Sequence, residues 1–247
     1  MLNMVWREFF EKNQPFHIVS RAVEERKIFT NKADCHRFIF QIYAANLGKP
    51  APNLWRRDTT KVAEALLQGE EIPSGFIIIE HSPLVHILSF ALVVNHYHFY
   101  LVANTENVVP LFIKKLNIGF AKYFNLKYNR KGTLFSSRYK SISVQTEFQS
   151  EAILRYINII NPLDVYQPGW REKGLENWKK ALNFLENYPY SSFPDFIGKR
   201  NSKILASDKI LEQFSLKRDS ISENTFREFT EDFLNQRLKM PDEFFLE

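Results

Sequence analysis

The sequence predicts an α+β fold of the ferredoxin-like or RRM-like class, a sandwich in which helices pack on one face of a mainly antiparallel sheet, plus a C-terminal helical tail. Two observations predict it. Apolar, β-branched segments alternate with segments of helical periodicity in the order strand, helix, two strands, helix, strand, helix. The 247 residues are also enough for one sizeable core with an appendage. We therefore expect one domain over residues 1–200 and an acidic, helical tail over residues 201–247.

Each element has its own signal in the sequence. Runs rich in β-branched and aromatic residues predict strands at 14–20, 84–94, 97–103 and 139–145. Apolar residues at three- and four-residue spacing predict helices at 33–47, 60–68, 110–128, 172–186 and 222–238. Gly48 ends the first of these helices, and Val94-Asn95 predicts a turn between the two middle strands. Residues 48–83 are therefore expected to form a connection around one short helix.

A further helix follows the last strand and has clear ends. Thr146 and Gln149 form a capping-box pattern, so this helix is expected to begin at Glu147. Pro162 disfavours helical geometry at the residue before it, so the helix is expected to end near Ile160.

Basic residues are concentrated in the middle of the chain. Residues 107–146 contain no Asp or Glu but eight basic side chains: Lys114, Lys115, Lys122, Lys127, Arg130, Lys131, Arg138 and Lys140. Aromatic residues are interleaved with them, namely Phe120, Tyr123, Phe124, Tyr128, Phe135 and Tyr139. After Ala206 the sign reverses, with ten acidic residues against six basic ones. Composition thus proposes a nucleic-acid partner, with a solvated basic helix face as the alternative.

Several classes of protein are disfavoured by what the sequence lacks. Cys35 is the lone cysteine, so the chain forms neither an intramolecular disulfide nor a cysteine-based zinc cluster. No apolar run approaches the roughly 20 residues of a membrane helix, and the first residues lack a signal-peptide core. There is no Gly-x-x-x-x-Gly-Lys loop, His-Glu-x-x-His motif or favourable Ser-His-Asp spacing. We expect a cytoplasmic protein that is not driven by ATP.

His96 and His98 lie two residues apart in a predicted strand, so both rings point to one face of the sheet and Tyr97 points to the other. That spacing suits chelation of one divalent ion, although many strands carry such pairs as polar surface. Here Asn95 and the two histidines interrupt an otherwise apolar run, and buried polar groups need partners, which a metal would supply. A metal held there would act as a Lewis acid on a phosphate oxygen.

Five blocks of sequence then resemble one family in register. Residues 92–101, Leu-Val-Val-Asn-His-Tyr-His-Phe-Tyr-Leu, resemble the His-hydrophobic-His strand of the single-tyrosine HUH transposases, the IS200-like family, and especially of their REP-associated branch. The other blocks are Ser20-Arg21 with Lys27-Ile28-Phe29, Tyr123-Phe124-Asn125 with residues 132–140, Arg155-Tyr156-Ile157 with Asn161-Pro162-Leu163, and Tyr190-Ser191-Ser192-Phe193. Val93-Val94 replaces the family's Met-Pro, and Ala22 replaces a glycine. The resemblance spans residues 14–200.

The resemblance implies an enzyme that nicks and rejoins DNA, with Mg²⁺ or Mn²⁺ as cofactor and single-stranded or hairpin DNA as partner. It implies that Tyr156 is the nucleophile, which forms a 5′-phosphotyrosine and leaves a free 3′-OH. It also implies that His96 and His98 bind the metal, with Asn161 as third ligand. We expect a monomer or homodimer, and we expect basic side chains to contact the DNA: Arg21, Lys122, Lys127, Arg130, Lys131, Arg138 and Lys140.

One departure from the family pattern concerns the third ligand, which in the family lies four residues after the tyrosine. Here that position is Ile160, and Asn161 comes one residue late, which turns it about 100° around an ideal helix. A π-bulge, or release of Asn161 from helical geometry by Pro162, would bring it back. Alternatively, alignment at Asn-Pro places Ile157 at the nucleophile position, and the enzyme is then inactive. We favour Tyr156 with Asn161.

Two other functions stay open at this point. The first is a catalytically inactive DNA- or RNA-binding module of the same fold, which keeps the basic face and has lost the site through the extra residue near Ile160. The second is a metallohydrolase that acts on small molecules, which the basic-aromatic middle and the shortage of further metal ligands disfavour.

Overall fold

The computed structural model describes residues 9–47, 59–73, 82–136, 138–218 and 220–234. Four strands form one sheet in which every neighbouring pair is antiparallel, in the order β2-β3-β1-β4. The strands are β1 (Pro15–Arg21), β2 (Val85–Val93), β3 (His96–Ala103) and β4 (Lys140–Ser143). Helices separate β1 from β2 and β3 from β4, which gives the βαββαβ order of the ferredoxin-like class. The predicted α+β fold class is confirmed.

The helices follow the predicted positions closely in the first half of the chain. They are α1 (Lys32–Asn46), α2 (Thr60–Gln68), α3 (Val108–Lys127) and α4 (Glu147–Arg155). A π-helical turn (Tyr156–Ile160) follows α4 directly. After it come α5 (Asn161–Tyr166), α6 (Trp170–Lys173), α7 (Trp178–Asn187), α8 (Phe193–Phe196), α9 (Asp208–Glu212) and α10 (Glu223–Leu234). In the described residues no helix is long and apolar enough to cross a membrane.

An aromatic core fills the space between one face of the sheet and helices α1 and α3. The ring of Phe38 on α1 lies 4.9 Å from Tyr97, and Phe112 on α3 lies 5.8 Å from Phe99, measured between ring centroids. The Tyr97 hydroxyl donates to Asn117 Oδ1 of α3 at 2.8 Å, so this buried polar group has a partner. This layer supplies much of the buried apolar surface that stabilises the fold.

The opposite face of the sheet is also covered, which corrects the expectation that the helices pack on one face alone. Tyr100 donates to Ser150 on α4 at 2.8 Å, and the His98 ring lies 5.9 Å from the ring of Tyr156. The physical reason is that β3 is buried along its whole length, on both sets of alternating side chains. A nearly continuous apolar run is typical of a strand covered on both faces, and that signal was present in the sequence.

Three other details of the prediction change. The helix expected to end near Ile160 continues through Pro162 to Tyr166, because the π-helical turn comes before the proline. The helix expected at 172–186 is divided into α6 and α7, with Gly174 at the end of α6 in an extended backbone conformation of positive φ. Residues 48–58, 74–81 and 235–238 of the expected elements lie outside the described residues.

The C-terminal segment contributes to the same hydrophobic core. Phe226 and Phe229 on α10 are buried, and the Phe226 ring lies 5.8 Å from Trp178 on α7. The predicted boundary at residue 200 stays a prediction.

Candidate active site

Strand β3 presents two histidines on the face that α4 covers. His96 is 6% exposed and His98 is fully buried, and their ring centroids lie 4.9 Å apart. In the antiparallel register, His96 is opposite Arg21 and His98 is opposite Val19 of β1. Both rings therefore lie on one face of the sheet beside the end of β1.

Each of these histidines uses its Nδ1 atom in a hydrogen bond and leaves Nε2 without a partner. His96 Nδ1 lies 2.6 Å from Asn95 Oδ1, so Nδ1 carries the proton and donates it. His98 Nδ1 lies 3.0 Å from Nε2 of His17, a third buried histidine on β1. The Nε2 atoms of both His96 and His98 are buried with no hydrogen-bond partner. In the tautomer in which Nδ1 donates, each Nε2 carries a lone pair, which is the arrangement of metal-binding histidines.

Electrostatics keep both rings neutral near pH 7. Burial, together with the smaller effect of the positive charges of Arg21 and Arg171, lowers the pKa of His96 to about 3. Burial also lowers the pKa of His98 well below its usual value, with the same two arginines and the neighbouring histidines adding to the effect. A neutral imidazole is the form that binds a metal ion.

The π-helical turn determines where Tyr156 and Asn161 lie. Helix α4 begins at the predicted capping box, in which Thr146 and Gln149 make both reciprocal hydrogen bonds. At its other end, the backbone N–H of Asn161 donates to the carbonyl oxygen of Tyr156, five residues earlier. A π turn takes up one residue more than an α turn. The π turn therefore takes up the one extra residue between Tyr156 and Asn161. A π-bulge was one of the two geometries that the sequence allowed.

Side-chain hydrogen bonds fix this turn to the sheet. Asn158, in the middle of the turn, is fully buried and donates to Ser89 Oγ of β2 at 2.9 Å. It also accepts from Ser192 Oγ at 2.7 Å, and Ser192 Oγ lies 2.9 Å from Ser89 Oγ. The backbone N–H of Ser192 donates to Phe90, so the Tyr-Ser-Ser-Phe block runs beside β2. This block holds the predicted nucleophile helix in place.

Tyr156 is fully buried among charged and aromatic neighbours. Its ring centroid lies 6.1 Å from that of His17 and 5.9 Å from that of His98, both in edge-on contact. The guanidinium carbon of Arg171, on α6, lies 5.8 Å from the centroid of the Tyr156 ring. Arg171 Nη2 also donates to Asn161 Oδ1 over 3.4 Å. The structure therefore brings together all four residues that the sequence singled out for chemistry, His96, His98, Tyr156 and Asn161, with two residues that it did not.

The residues present fit a divalent metal ion. The two unpartnered Nε2 atoms are suitable nitrogen ligands, and Asn161 supplies a carboxamide oxygen of the kind that Mg²⁺ and Mn²⁺ prefer. Asn161 is fully buried, and its amide nitrogen has no hydrogen-bond partner either. Among the described residues, no group of three or more His, Cys, Asp or Glu side chains could hold a metal by itself. An amide ligand in addition to the two histidines is consistent with that finding.

Three of the predicted DNA-contacting residues lie around the end of β1. Arg21 is the last residue of β1 and is close enough to affect the charge state of His96. Its carbonyl oxygen accepts a hydrogen bond from the Ser136 N–H at 2.9 Å, which brings the loop before β4 beside it. Arg138 on that loop and Lys140 at the start of β4 are both exposed. Lys140 is paired with Val19 of β1, which on its other side is opposite His98.

The other four lie on α3 or just after it, in the layer that covers the opposite face of the sheet. Lys122 and Lys131 are exposed. Lys127 Nζ donates to the fully buried carboxylate of Asp34 at 2.6 Å, and Arg130 donates to a side-chain amide of α3 at 2.6 Å. Because its charge is balanced by Asp34, Lys127 adds less to the surface potential than its place in the basic segment suggested.

His17 and Arg171 are the two residues that the sequence reasoning missed. His17 had a signal: it interrupts the apolar residues of the first strand, which is the observation that drew attention to His96 and His98. Arg171 had none, because it lies on a short helix that periodicity did not separate from α7, and only the folded chain brings it to Tyr156.

Comparisons with known proteins agree with the motifs. Residues 69–159 match the family model described as transposase IS200-like, a segment that includes His96, His98 and Tyr156. One solved structure, described as a REP-associated tyrosine transposase bound to a REP hairpin, aligns with a TM-score of 0.47 and 12% identity, over 82% of this chain and 91% of that one. No curated protein matches this chain. The match to the family model confirms the predicted resemblance to the IS200-like transposases over residues 69–159.

Proposed function

We propose that this protein is a metal-dependent single-stranded DNA endonuclease and strand transferase that nicks hairpin-forming DNA through Tyr156. The observation that carries the proposal is the π-helical turn, which takes up the extra residue at Ile160 between Tyr156 and Asn161. The Tyr156 ring contacts His98, and Arg171 contacts both Tyr156 and Asn161, which supports one shared site. The match of residues 69–159 to the IS200-like transposases supports the same reaction class.

His96 and His98 would hold the ion through their Nε2 atoms, which have no hydrogen-bond partner. Asn161 would add its side-chain oxygen, which accepts a long hydrogen bond from Arg171 Nη2, at 3.4 Å. When bound, the ion supplies a Lewis acid that polarises an oxygen of the scissile phosphate. Asn95 and His17 orient the two imidazole rings from behind, through the Nδ1 atoms.

The chain's own residues then perform a transesterification. The Tyr156 oxygen attacks the phosphorus and forms an O–P bond, while the bond from phosphorus to the 3′ oxygen breaks. The phenol loses its proton, and the departing 3′ oxygen gains one and becomes a free 3′-OH. The product is a 5′-phosphotyrosine, which conserves a phosphodiester bond, so the reverse attack by a 3′-OH rejoins DNA without a further energy source.

The substrate class comes from the sequence resemblance and from charge. Hairpin-forming DNA is the substrate that the resemblance implies. Arg21, at the end of β1, and the exposed Arg138 and Lys140 would supply positive charge for its phosphates. Tyr156 and His98 are fully buried, whereas Arg171 is partly exposed. Arg171 therefore marks the side from which a DNA strand would reach the nucleophile.

A covalent-adduct assay tests the proposal. Wild-type protein incubated with a DNA hairpin that has single-stranded flanks, in Mg²⁺ or Mn²⁺, should gain the mass of the 5′-ended cut strand in a denaturant-resistant form. Tyr156→Phe removes only the hydroxyl, so it should form no adduct while it still folds and binds the hairpin. His96→Ala should lose the adduct through loss of the metal.

Tyr166→Phe is the matched control, because Tyr166 belongs to the same run of helix and packs against Phe184 rather than the histidines. It should form the adduct at the wild-type rate. If wild-type protein gave no adduct in either metal but still bound the hairpin, the inactive binding module would replace the nuclease. Normal cleavage by Tyr156→Phe would show that the nucleophile is another residue.

A further inference from the structure

We propose that Arg171 is a further catalytic residue, which binds the scissile phosphate and stabilises the negative charge that develops on it. The inference rests on the proposed function, since it names the residue that would receive the phosphate at the same site. It arises from the position of the arginine and not from any motif, because no sequence block singled out Arg171.

The Arg171 side chain extends from α6 towards the proposed site. Its guanidinium carbon lies 5.8 Å from the Tyr156 ring centroid, and its Nη2 lies 3.4 Å from Asn161 Oδ1. It thus contacts both the proposed nucleophile and the proposed third ligand. A phosphate under attack by the Tyr156 oxygen would lie at the edge of this ring, and we infer that the guanidinium of Arg171 reaches it.

A carboxylate holds the guanidinium in this orientation. Asp164, on α5, accepts from Arg171 Nε at 3.0 Å and from Nη2 at 2.5 Å. Asp164 Oδ1 also accepts from the indole N–H of Trp170 at 2.9 Å, and Trp170 is fully buried. Asp164 and the buried Trp170 therefore hold Arg171 in one orientation, which lowers the entropy cost of placing its guanidinium against a phosphate.

Arg171 acts electrostatically on the site, although Asp164 balances part of its charge. Arg171 and Arg21 both contribute to lowering the pKa of His96 and of His98, after the larger effect of burial. Two guanidinium groups therefore bring positive charge to a buried site whose histidines are neutral. Charge-assisted, often bidentate hydrogen bonds to phosphate are the characteristic chemistry of arginine.

The reaction places most new charge on the non-bridging phosphate oxygens, and Arg171 would donate hydrogen bonds to one of them. No bond to Arg171 forms or breaks, and it transfers no proton. Removing one such preorganised donor typically lowers a rate by about 10²–10³-fold. The alternative role is structural: a brace between α5 and α6 through Asp164.

Binding without metal separates the two roles. The Tyr156→Phe protein in EDTA is titrated with a set of fluorescent DNA hairpins that have single-stranded flanks, each with one phosphate replaced by a neutral methylphosphonate. Arg171→Met keeps the apolar stem and removes the charge, so it should weaken binding to the all-phosphate hairpin by about 10-fold. On one hairpin of the set, the one in which the phosphate bound by Arg171 is replaced, Arg171→Met should not weaken binding.

Arg155→Ala is the matched control. Arg155 is a partly exposed arginine at the end of α4 that pairs with Glu151 and lies over Phe229. Its effect should be equal for every hairpin of the set. Arg171→Lys should recover part of the lost affinity, because it keeps the charge and loses the fork of donors.

Cleavage kinetics complete the test in the protein that has Tyr156. Arg171→Met should lower kcat by about 10²-fold with a smaller change in KM, and circular dichroism melting should show that the variant is folded. The proposal is overturned if Arg171→Met weakens all hairpins of the set equally, or if kcat is unchanged. The two proposals can also fail separately. If wild-type protein formed no adduct, but the effect of Arg171→Met still disappeared at one methylphosphonate position, the nuclease reaction would be wrong and the phosphate contact of Arg171 would stand.

Discussion

Deleting Ile160 tests whether the π-helical turn is a compensation for one extra residue. Ile159 and Ile160 are adjacent and identical, so removing either gives the same protein. The deletion places the asparagine four residues after Tyr156, which an ordinary α turn accommodates on the same side of the helix. The flanking segments, α4 and α5, keep their relative orientation, because the π turn had absorbed only the extra residue.

The expected cost is moderate and can be worked from burial. Ile160 is fully buried, and the loss of such a side chain costs about 2–5 kcal/mol. A regular α-helical hydrogen bond regained at the turn offsets about 1 kcal/mol. A net loss of about 3 kcal/mol in the free energy of unfolding corresponds to a melting temperature lower by about 6–12 °C for a protein of this length.

The site should survive that loss. We expect the deletion variant to bind Mn²⁺, measured by isothermal titration, within about 3-fold of wild type, and to form the covalent adduct with the hairpin. Asn161→Ala, which removes the ligand and keeps the turn, should weaken Mn²⁺ binding by at least about 10-fold.

Ile160→Ala is the matched control, since it loses similar buried surface and keeps the π spacing. The reasoning is refuted if the deletion abolishes Mn²⁺ binding while Ile160→Ala, equally destabilised, retains it. In that case the π turn would be required by the site rather than neutral to it.

Two more predictions concern the histidines. Burial is the main reason that the pKa of His96 in the folded chain is about 3. Below pH ~6.5 the unfolded chain therefore binds more protons than the folded chain. The free energy of unfolding is not reduced by His96 above that pH, and it falls as the pH decreases below it. In urea unfolding between pH 6.5 and 4.5, His96→Phe should reduce this loss by about 1.4 kcal/mol per pH unit, and identical slopes would contradict the pKa shift. His17→Phe should lower Mn²⁺ affinity about 10–100-fold in isothermal titration by freeing the His98 ring, whereas His86→Phe should not; equal affinities would make His17 a packing residue only.

The sequence predicted the architecture well wherever the signal was local. The capping box at Thr146 and Gln149 marks the observed start of α4, and the turn at Val94-Asn95 separates β2 from β3. Alternation in β3 correctly put His96 and His98 on one face and Tyr97 on the other. These features depend on residues that are neighbours in the chain, so periodicity and capping chemistry are sufficient to predict them.

The parts that the sequence left undecided depend on distant contacts. The choice between a π-bulge and a helix broken at Pro162 is made by Asn158, whose amide is held by Ser89 and Ser192 from other segments. The contact of His17 with His98 requires the register of β1 against β3, which no local pattern specifies. Local rules could only name the alternatives in these cases.

The two faces of the sheet differ in how well their buried polar groups are paired, which gives a physical reason to expect a ligand at the proposed site. On the face covered by α1 and α3, the polar groups of Tyr97 and Asn117 satisfy one another within an aromatic core. On the other face, nitrogen atoms of His96, His98 and Asn161 are buried without partners, each at a cost of about 1–3 kcal/mol. Summed over three atoms, that cost is comparable with the net stability of a typical domain, about 5–15 kcal/mol. The unpartnered histidine nitrogen atoms, beside Tyr156 and Arg171, therefore support the proposed binding of a cation and a phosphate at this face.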